Sequence, residues 1–273
     1  MFYRCIFNHI KKSEISIMAT ISITFLGHAS FKFTSENGTI SYLDPWLDEN
    51  PTATVSKSDI DKADIVMATH GHTDHIGDCY DICKKTNATF VGDYELSEAA
   101  LGIGIAQKNI YSLNPGGSVK LNDLNITMTQ AQHSHSLSKH VLPAPLPEGM
   151  LYHAGGNVAG FIMSYDNGIT IYNSSDTGVF SDMQLISQMY RPQIAILPVG
   201  GKFTMGVREA TKAASFIRAD IIIPCHYGEE IGQPADINRL VEQVEFACPG
   251  SKVVPIKTNQ TLIYTSSSHK ISN

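Results

Sequence analysis

Short apolar runs separated by turn residues dominate the chain and predict a protein rich in β-strands. In the first part of the chain these runs occupy residues 21–26, 30–34 and 39–43. Asn37-Gly38, before the third run, is a dipeptide typical of a tight hairpin turn. A fourth run, residues 64–69, leads into a polar loop, and a helical spacing of apolar residues begins at Cys79. The pattern therefore predicts a β-meander followed by a strand, a loop and a helix.

The second half repeats this scheme. Runs at 158–164 and 169–173 flank Asn167-Gly168 and predict a second hairpin. Helical patterns then alternate with buried strands at 194–199 and 220–225, and we place the helices at about 179–190, 207–219 and 235–247. Because each half has its sheet first and its helices afterwards, we predict an α+β fold, a four-layer αββα sandwich.

Composition narrows the class of protein. The net charge is −6, with 42% hydrophobic and 17% charged residues, which excludes a strongly basic nucleic-acid binder and a charge-rich disordered chain. We interpret residues 1–18 as an N-terminal extension, with Met18 as an alternative start of translation. Residues 19–265 are expected to form one domain and residues 266–273 a flexible tail. No apolar run approaches the ~20 residues of a membrane span.

The cysteines indicate a reducing compartment. There are five, an odd number, and none form a C-x-x-C pair, so the spacing suggests neither a disulfide framework nor a thiolate zinc site. We therefore expect a cytoplasmic protein. Cys225, beside a histidine, resembles a metal ligand, but its position in a strand predicts a buried apolar residue.

The segment from His70 to His75 contains three imidazoles and one carboxylate within six residues. In a helix, positions i and i+2 do not share a face, so we assign these residues to a loop at a strand end. There, His70 and His72 suit one metal ion, while Asp74 and His75 reach a second. A capping role for Asp74 is the simpler alternative, but it does not explain three histidines.

The sequence T-H-x-H-x-D-H-x-G after an apolar strand resembles the signature of the metallo-β-lactamase superfamily. This resemblance implies a four-layer sandwich of the metallo-β-lactamase type, with further ligands from three later strand ends. It assigns His133 to the first ion and His226 to the second, with Asp176 as the bridging carboxylate. His135 is the rival for the position of His133, two residues away on the same side of an extended strand.

Other motifs narrow the resemblance to one branch. They are Gly27-His28-Ala29-Ser30-Phe31, Leu43-Asp44-Pro45-Trp46-Leu47, Leu197-Pro198-Val199-Gly200-Gly201 and Pro224-Cys225-His226-Tyr227-Gly228. Together they resemble metal-dependent hydrolases related to ascorbate-6-phosphate lactonase, over about residues 20–264. Two departures are visible: Ser174-Ser175 stand where a glycine is common, and the loop 135–153 is longer than usual.

The resemblance implies a dinuclear hydrolase that cleaves a small ester, lactone or phosphoester with a hydroxide shared by the two ions. The ions are expected to be zinc, although manganese or iron fits similar donors. Asp74 and Asp176 are the expected catalytic carboxylates. The alternatives are a phosphodiesterase or RNA-processing nuclease, a di-iron protein and a non-catalytic metal-binding protein. The net charge of −6 argues against the nuclease.

Four further residues are candidates for supporting the metal ligands or contacting substrate. They are His28, Asp44, His135 and Lys202. Arg208, like Lys202, is a candidate cation for an anionic substrate, and His140 and His153 are candidate substrate contacts. The expected partner is a small molecule, with no nucleic acid or membrane; the sequence is compatible with a homo-oligomer.

Overall fold

The computed structural model describes residues 16–138 and 152–269. Within this part of the chain, the β-strands in chain order are β1 (Ser16–Gly27), β2 (Ser30–Ser35), β3 (Ile40–Leu43), β4 (Ile65–Met67), β5 (Thr89–Gly92), β6 (Ile110–Ser112), β7 (Ser118–Leu121), β8 (Leu124–Gln130), β9 (Ser136–Ser138), β10 (Tyr152–Ala154), β11 (Ala159–Tyr165), β12 (Thr170–Asn173), β13 (Ile194–Pro198), β14 (Ile221–Cys225), β15 (Lys252–Val253) and β16 (Thr261–His269).

The α-helices in the same ranges are α1 (Thr73–Ile76), α2 (Cys79–Thr86), α3 (Tyr94–Gly102), α4 (Met183–Tyr190), α5 (Val207–Ile217) and α6 (Ile237–Ala247). The three helices predicted in the second half are confirmed. The first of them begins four residues later than predicted, with Asp182 at the N-cap position of α4. Among the described residues, no helix has the length and apolar character needed to cross a bilayer.

The large sheets share one plan. The first has the strand order β16-β1-β2-β3-β4-β5-β6, and the second has β15-β14-β13-β12-β11-β8-β7. In each sheet one end is an antiparallel meander and the other is parallel, with β3 to β6 parallel in the first and β12 to β15 parallel in the second. Parallel neighbours end at the same edge, so their following loops meet there.

The sheets pack face to face and helices cover their outer faces. In β4, Ile65 and Met67 face a core shared by the two sheets, whereas Val66 faces the core under α2 and α3. In β13, Ile196 faces the shared core and Leu197 the core under α4, α5 and α6. Successive side chains on a strand point to opposite faces, so strands covered on both sides are apolar throughout. The predicted αββα sandwich is confirmed.

Two pairings bear on the predicted boundaries. The whole of β16 pairs with β1, from Ser16 opposite His269 to Thr24 opposite Thr261. Residues 16–18 and 266–269, which the sequence assigned to the extension and the tail, are thus part of the sheet. β9 and β10 form a small ribbon at the two ends of the predicted long loop. Residues 1–15 of the extension and His140 lie outside the described residues.

Candidate metal centre

All seven predicted ligands lie at one edge of the sandwich, each placed by the carboxyl end of a strand. His70 and His72 follow β4, Asp74 and His75 lie on α1, His133 follows β8, Asp176 follows β12 and His226 follows β14. Buried strands end here because the polar residues after them cannot remain between the sheets. The fold therefore brings together residues that are more than 150 positions apart in the chain.

One part of the predicted loop is helical. Thr73–Ile76 form a single helical turn, in which the N–H groups of His75 and Ile76 donate to the carbonyl of His72 at 3.0 and 2.9 Å. The assignment of all four site residues to a loop is therefore corrected for Asp74 and His75. The i, i+2 spacing argues against a helix only for His70 and His72. Asp74 and His75 are adjacent, and their side chains can project from one helical turn in different directions.

The first cluster contains His70, His72 and His133. Their ligand atoms all lie within 4.8 Å of one another, and His70 Nε2 is 3.0 Å from His72 Nδ1. Thr69 fixes the ring of His70. Its hydroxyl donates to Asp44 Oδ2 at 2.7 Å and lies 2.9 Å from His70 Nδ1. Because the hydroxyl hydrogen of Thr69 is already donated to Asp44, the hydroxyl oxygen accepts the Nδ1–H of His70. The lone pair of His70 Nε2 is then directed at the cluster.

The second cluster contains Asp74, His75 and His226, together with His28. Asp74 Oδ2 lies 3.5 Å from His226 Nε2 and 3.9 Å from His75 Nε2. His75 Nδ1 donates to Asp44 Oδ2 at 2.8 Å, so the neutral ring carries its lone pair on Nε2. The buried Nε2 atoms of His75 and His226 have no hydrogen-bond partner among the described residues.

Asp176 stands between the two clusters. Its Oδ2 lies 2.9 Å from His226 Nε2, 3.2 Å from His75 Nε2 and 3.7 Å from His133 Nε2. Donors bound to one tetrahedral zinc at about 2.0–2.1 Å are separated by roughly 3.3 Å. The measured separations are close to that value, and nitrogen and carboxylate oxygen are donors that zinc accepts. The donor set, with its unpartnered buried nitrogens, therefore fits divalent cations.

The pKa values of the buried aspartate and histidine side chains in the site are shifted by burial and by their charged neighbours. Burial opposes ionisation of Asp176, but His75 and His226 outweigh it and hold the pKa of Asp176 well below its usual range. Burial would lower the pKa of His226, but Asp176 and Asp74 raise it to about 9. Burial, and then the neighbouring His133, lowers the pKa of His72 to about 4. The second cluster thus attracts positive charge, while the histidine-only part of the first keeps its nitrogens neutral.

Asp44 supports both clusters from below. Its side chain is 2% exposed and accepts hydrogen bonds from the backbone N–H and the hydroxyl of Thr69 and from His75 Nδ1, at 2.8, 2.7 and 2.8 Å. One carboxylate therefore orients His75 directly and His70 through Thr69. This is the arrangement by which outer residues fix the tautomer of metal-binding histidines.

His135 does not join the clusters; His133 does. His135 Nε2 accepts the N–H of Gly71 at 3.0 Å, between the candidate ligands His70 and His72. Its Nδ1 lies 3.5 Å from Asp93 Oδ2. Sequence reasoning missed Asp93, whose only signal is its position after β5, where it caps α3 by accepting the N–H of Leu96 at 2.9 Å. Burial raises the pKa of Asp93 to about 7.

Lys202 lies in the loop 199–206 after β13, beside the centre. The loop is attached next to the ligand Asp176, because the N–H of Met205 donates to the carbonyl of Thr177 at 3.2 Å. Lys202 is exposed, and its Nζ is 4.8 Å from the ring centroid of the exposed Phe203. Arg208, on α5, is also exposed. The loop therefore presents a cation and an aromatic ring to solvent.

Four residues that are not glycine adopt positive φ at the centre. They are His28 (56°), Asp44 (46°), Ser175 (61°) and His226 (55°). This region is strained for residues with a β-carbon. The value at Ser175 explains why a glycine would be favourable there; Asn173 Oδ1 stabilises the turn by accepting its N–H at 2.8 Å. Cys225, next to His226, is buried in the inter-sheet core, as predicted.

Comparisons with known proteins agree with this geometry. The sequence model of the Beta-lactamase superfamily domain matches residues 22–226. A UPF0173 metal-dependent hydrolase of Methanopyrus kandleri is 40% identical over 81% of this chain and 92% of its own length. One of Methanosphaera stadtmanae is 36% identical over 86% of this chain and 96% of its own length.

A solved structure is also similar over most of its length. Igni18, a metallo hydrolase from Ignicoccus hospitalis, is 30% identical, with a TM-score of 0.76 over 90% of this chain and 98% of its own. The isothiocyanate hydrolase from Delia radicum gut bacteria, 19% identical with a TM-score of 0.65 over 88% of this chain and 98% of its own, shares the fold. With its matched domain and its histidine and aspartate clusters, the chain belongs to the metallo-β-lactamase superfamily, among the UPF0173 metal-dependent hydrolases.

Proposed function

We propose that the protein is a dinuclear metal-dependent hydrolase that cleaves a small ester, lactone or phosphoester. The observation that carries this proposal is the position of Asp176 Oδ2, which faces His133 on one side and His75 and His226 on the other. A carboxylate oxygen within 4 Å of nitrogens from both clusters is suited to bridging two cations. Lactone is the preferred substrate because the motifs around His28, Asp44 and His226 resemble those of the lactonase branch.

In this proposal His70, His72 and His133 would hold the first ion, Asp74, His75 and His226 would hold the second, and Asp176 would contact both. Divalent ions bound there would supply a water of lowered pKa and would polarise the oxygen of the substrate. The preferred metal is zinc, since imidazole and carboxylate donors suit it, and manganese and iron are the other candidates.

Asp74 is suited to orient the attacking water. Its side chain is 33% exposed, whereas that of Asp176 is 3% exposed, so Asp74 is the carboxylate that substrate can approach. Burial opposes its ionisation, but His75, His226 and His28 hold the pKa of Asp74 far below its usual range, so it is a carboxylate at neutral pH. As a carboxylate it can accept a hydrogen bond from the attacking water and orient that water towards the ester, whereas its depressed pKa makes it a weak acceptor of the proton itself.

The proposed setting of the reaction rests on composition and exposed residues. The proposed substrate is a small molecule, because a net charge of −6 disfavours binding to the phosphate backbone of nucleic acid. Lys202 is a candidate cation for an anionic group of that substrate. The four cysteines in the described part of the chain are free, which supports a reducing, cytoplasmic setting. A homo-oligomer is compatible with these proposals.

Metal content and hydrolysis test the proposal together. Protein purified without chelator is expected to contain two ions per chain by elemental analysis. It is also expected to hydrolyse members of a lactone panel faster than members of a phosphodiester panel. Asp176→Ala should lose the activity and at least one ion, whereas Lys212→Ala, a change on the exposed side of α5, should retain both. Less than one ion after reconstitution with zinc, manganese and iron would refute the dinuclear mechanism.

A further inference from the structure

His28 is buried in the turn between β1 and β2 and makes two contacts with the second metal cluster. Its side chain is 2% exposed, and its Nε2 lies 3.0 Å from Asp74 Oδ2. Its backbone carbonyl accepts the N–H of His226 at 2.8 Å. The ring centroids of His28 and His226 are 3.9 Å apart. One residue is therefore bonded to two of the cluster's ligands, through different groups.

These two ligands come from opposite halves of the sandwich. Asp74 lies on α1, which follows a strand of the first sheet, and His226 follows β14 in the second sheet. Asp74 is also a partly exposed carboxylate, with a third of its side chain accessible to solvent. A carboxylate in that position can turn towards solvent unless a donor holds it. The N–H of His28 is that donor, because an ionised carboxylate only accepts.

We propose that His28 is a positioning residue that holds Asp74 against His226 and thereby sets the affinity for the second ion. This inference rests on the proposed dinuclear function. The positive φ of His28, 56°, agrees with it, because this strained conformation aims the carbonyl at His226 while the ring reaches Asp74. The Nδ1 atom has no partner among the described residues, so the hydrogen bonding of the ring rests on Nε2.

The test uses two amide variants that differ only in reach. In His28→Gln the side-chain nitrogen lies about as far along the chain as Nε2 of histidine, whereas in His28→Asn it lies at the position of Nδ1. Both amides can donate a hydrogen bond, and asparagine tolerates positive φ well. Both variants keep the backbone carbonyl bonded to His226. A difference between them therefore reports the hydrogen bond to Asp74 and not the turn.

Affinities for both ions are measured by zinc titration against a competing chelator, and the second site is followed by the absorption spectrum of cobalt-loaded protein. In His28→Asn we expect the second ion to bind about 10–100-fold more weakly, with the first ion unchanged. His28→Gln should restore most of that affinity and the wild-type cobalt spectrum. His72→Ala removes a nitrogen donor from the first cluster, so it should weaken binding of the first ion and leave the affinity for the second ion unchanged. Thr24→Ala, on the strand β1 that leads into the turn but away from the centre, should change neither.

Each result decides between outcomes. Equal affinity for the second ion in the glutamine and asparagine variants would overturn the positioning role, whether both retain the ion or both lose it. Thermal unfolding of the metal-free variants checks folding, and similar melting temperatures for the two amides make the comparison valid. If wild-type protein itself binds fewer than two ions, the proposed function fails. If it binds two and the amide variants are alike, only the inference on His28 fails.

Discussion

Asp44 provides the sharpest test of how the buried residues prepare the centre. It accepts three hydrogen bonds, from two groups of Thr69 and from His75 Nδ1. In Asp44→Asn one oxygen is replaced by an NH₂ group that cannot accept. If the amide oxygen keeps the backbone N–H of Thr69, the NH₂ group faces the hydroxyl of Thr69 and the N–H of His75. To avoid two donors in contact, His75 must move its proton to Nε2.

The size of the effect follows from these contacts. Hydrogen bonds to a charged group contribute about 1.5–3 kcal/mol each, and a rotated hydroxyl recovers part of the loss, so we expect a net destabilisation of about 2–4 kcal/mol. At roughly 2–4 °C per kcal/mol for a chain of this size, the melting temperature of metal-free protein should fall by about 5–15 °C. Zinc affinity should fall at least about 10–100-fold, since Nε2 of His75 is then protonated.

Thermal unfolding with and without zinc, together with chelator competition, measures both quantities. A 10–100-fold weaker affinity removes about 1.4–2.7 kcal/mol of zinc-dependent stabilisation. The matched control is Asp64→Asn, which alters a carboxylate that accepts the N–H of Ile40 at 2.8 Å, away from the ligands. It should leave zinc affinity unchanged. Unchanged zinc affinity in Asp44→Asn would refute the tautomer argument, even if the melting temperature fell.

Three further predictions concern the backbone and pH. Gly71→Ala should weaken the first ion in chelator competition, since the new Cβ would lie 2.8 Å from the carbonyl of Ser136; unaltered binding would contradict that crowding. Ser175→Gly should raise the melting temperature by relieving a φ of 61°, worth up to about 1 kcal/mol, and a lower value would show that the serine side chain is needed. Because the folded pKa of His226 is about 9, its contribution to metal-free stability should be complete below about pH 6.5 and disappear as pH rises through 9. Zinc should remove that dependence in unfolding scans, and its persistence with zinc bound would contradict the assignment of His226 as a ligand.

Much of the architecture could be predicted because apolar periodicity is local. The hairpins and the helices of the second half follow directly from runs of three to eleven residues, and the αββα layers follow from their order. The exact starts of helices could not be predicted as well. Asp182 ends the loop before α4, and Asp and Ser near a helix start are compatible with several boundaries.

The candidate site shows the same division. His70, His72, His133 and His226 could be found because each histidine follows a strand in a family pattern. The geometry that separates His133 from His135 could not, since both residues lie on one side of an extended segment. Only the folded chain shows His135 accepting the N–H of Gly71 instead of joining the first cluster. Asp93 could not be found either, because an acidic N-cap is common at helices with no nearby site.

The strained residues connect the stability of the fold with the chemistry proposed for it. His28, Asp44, Ser175 and His226 all have positive φ, and each lies in a turn at the end of a strand. Such conformations cost about 1–3 kcal/mol each and persist only where the surroundings over-determine them. Here the surroundings are two seven-stranded sheets with a shared apolar core. A glycine at Ser175, whose side chain is not part of the site, should therefore stabilise the fold without loss of metal. A glycine at His28 should instead weaken binding of the second ion. Comparing Ser175→Gly with His28→Gly separates the two effects, and equal metal affinity in both variants would show that the side chain of His28 does not hold the site together.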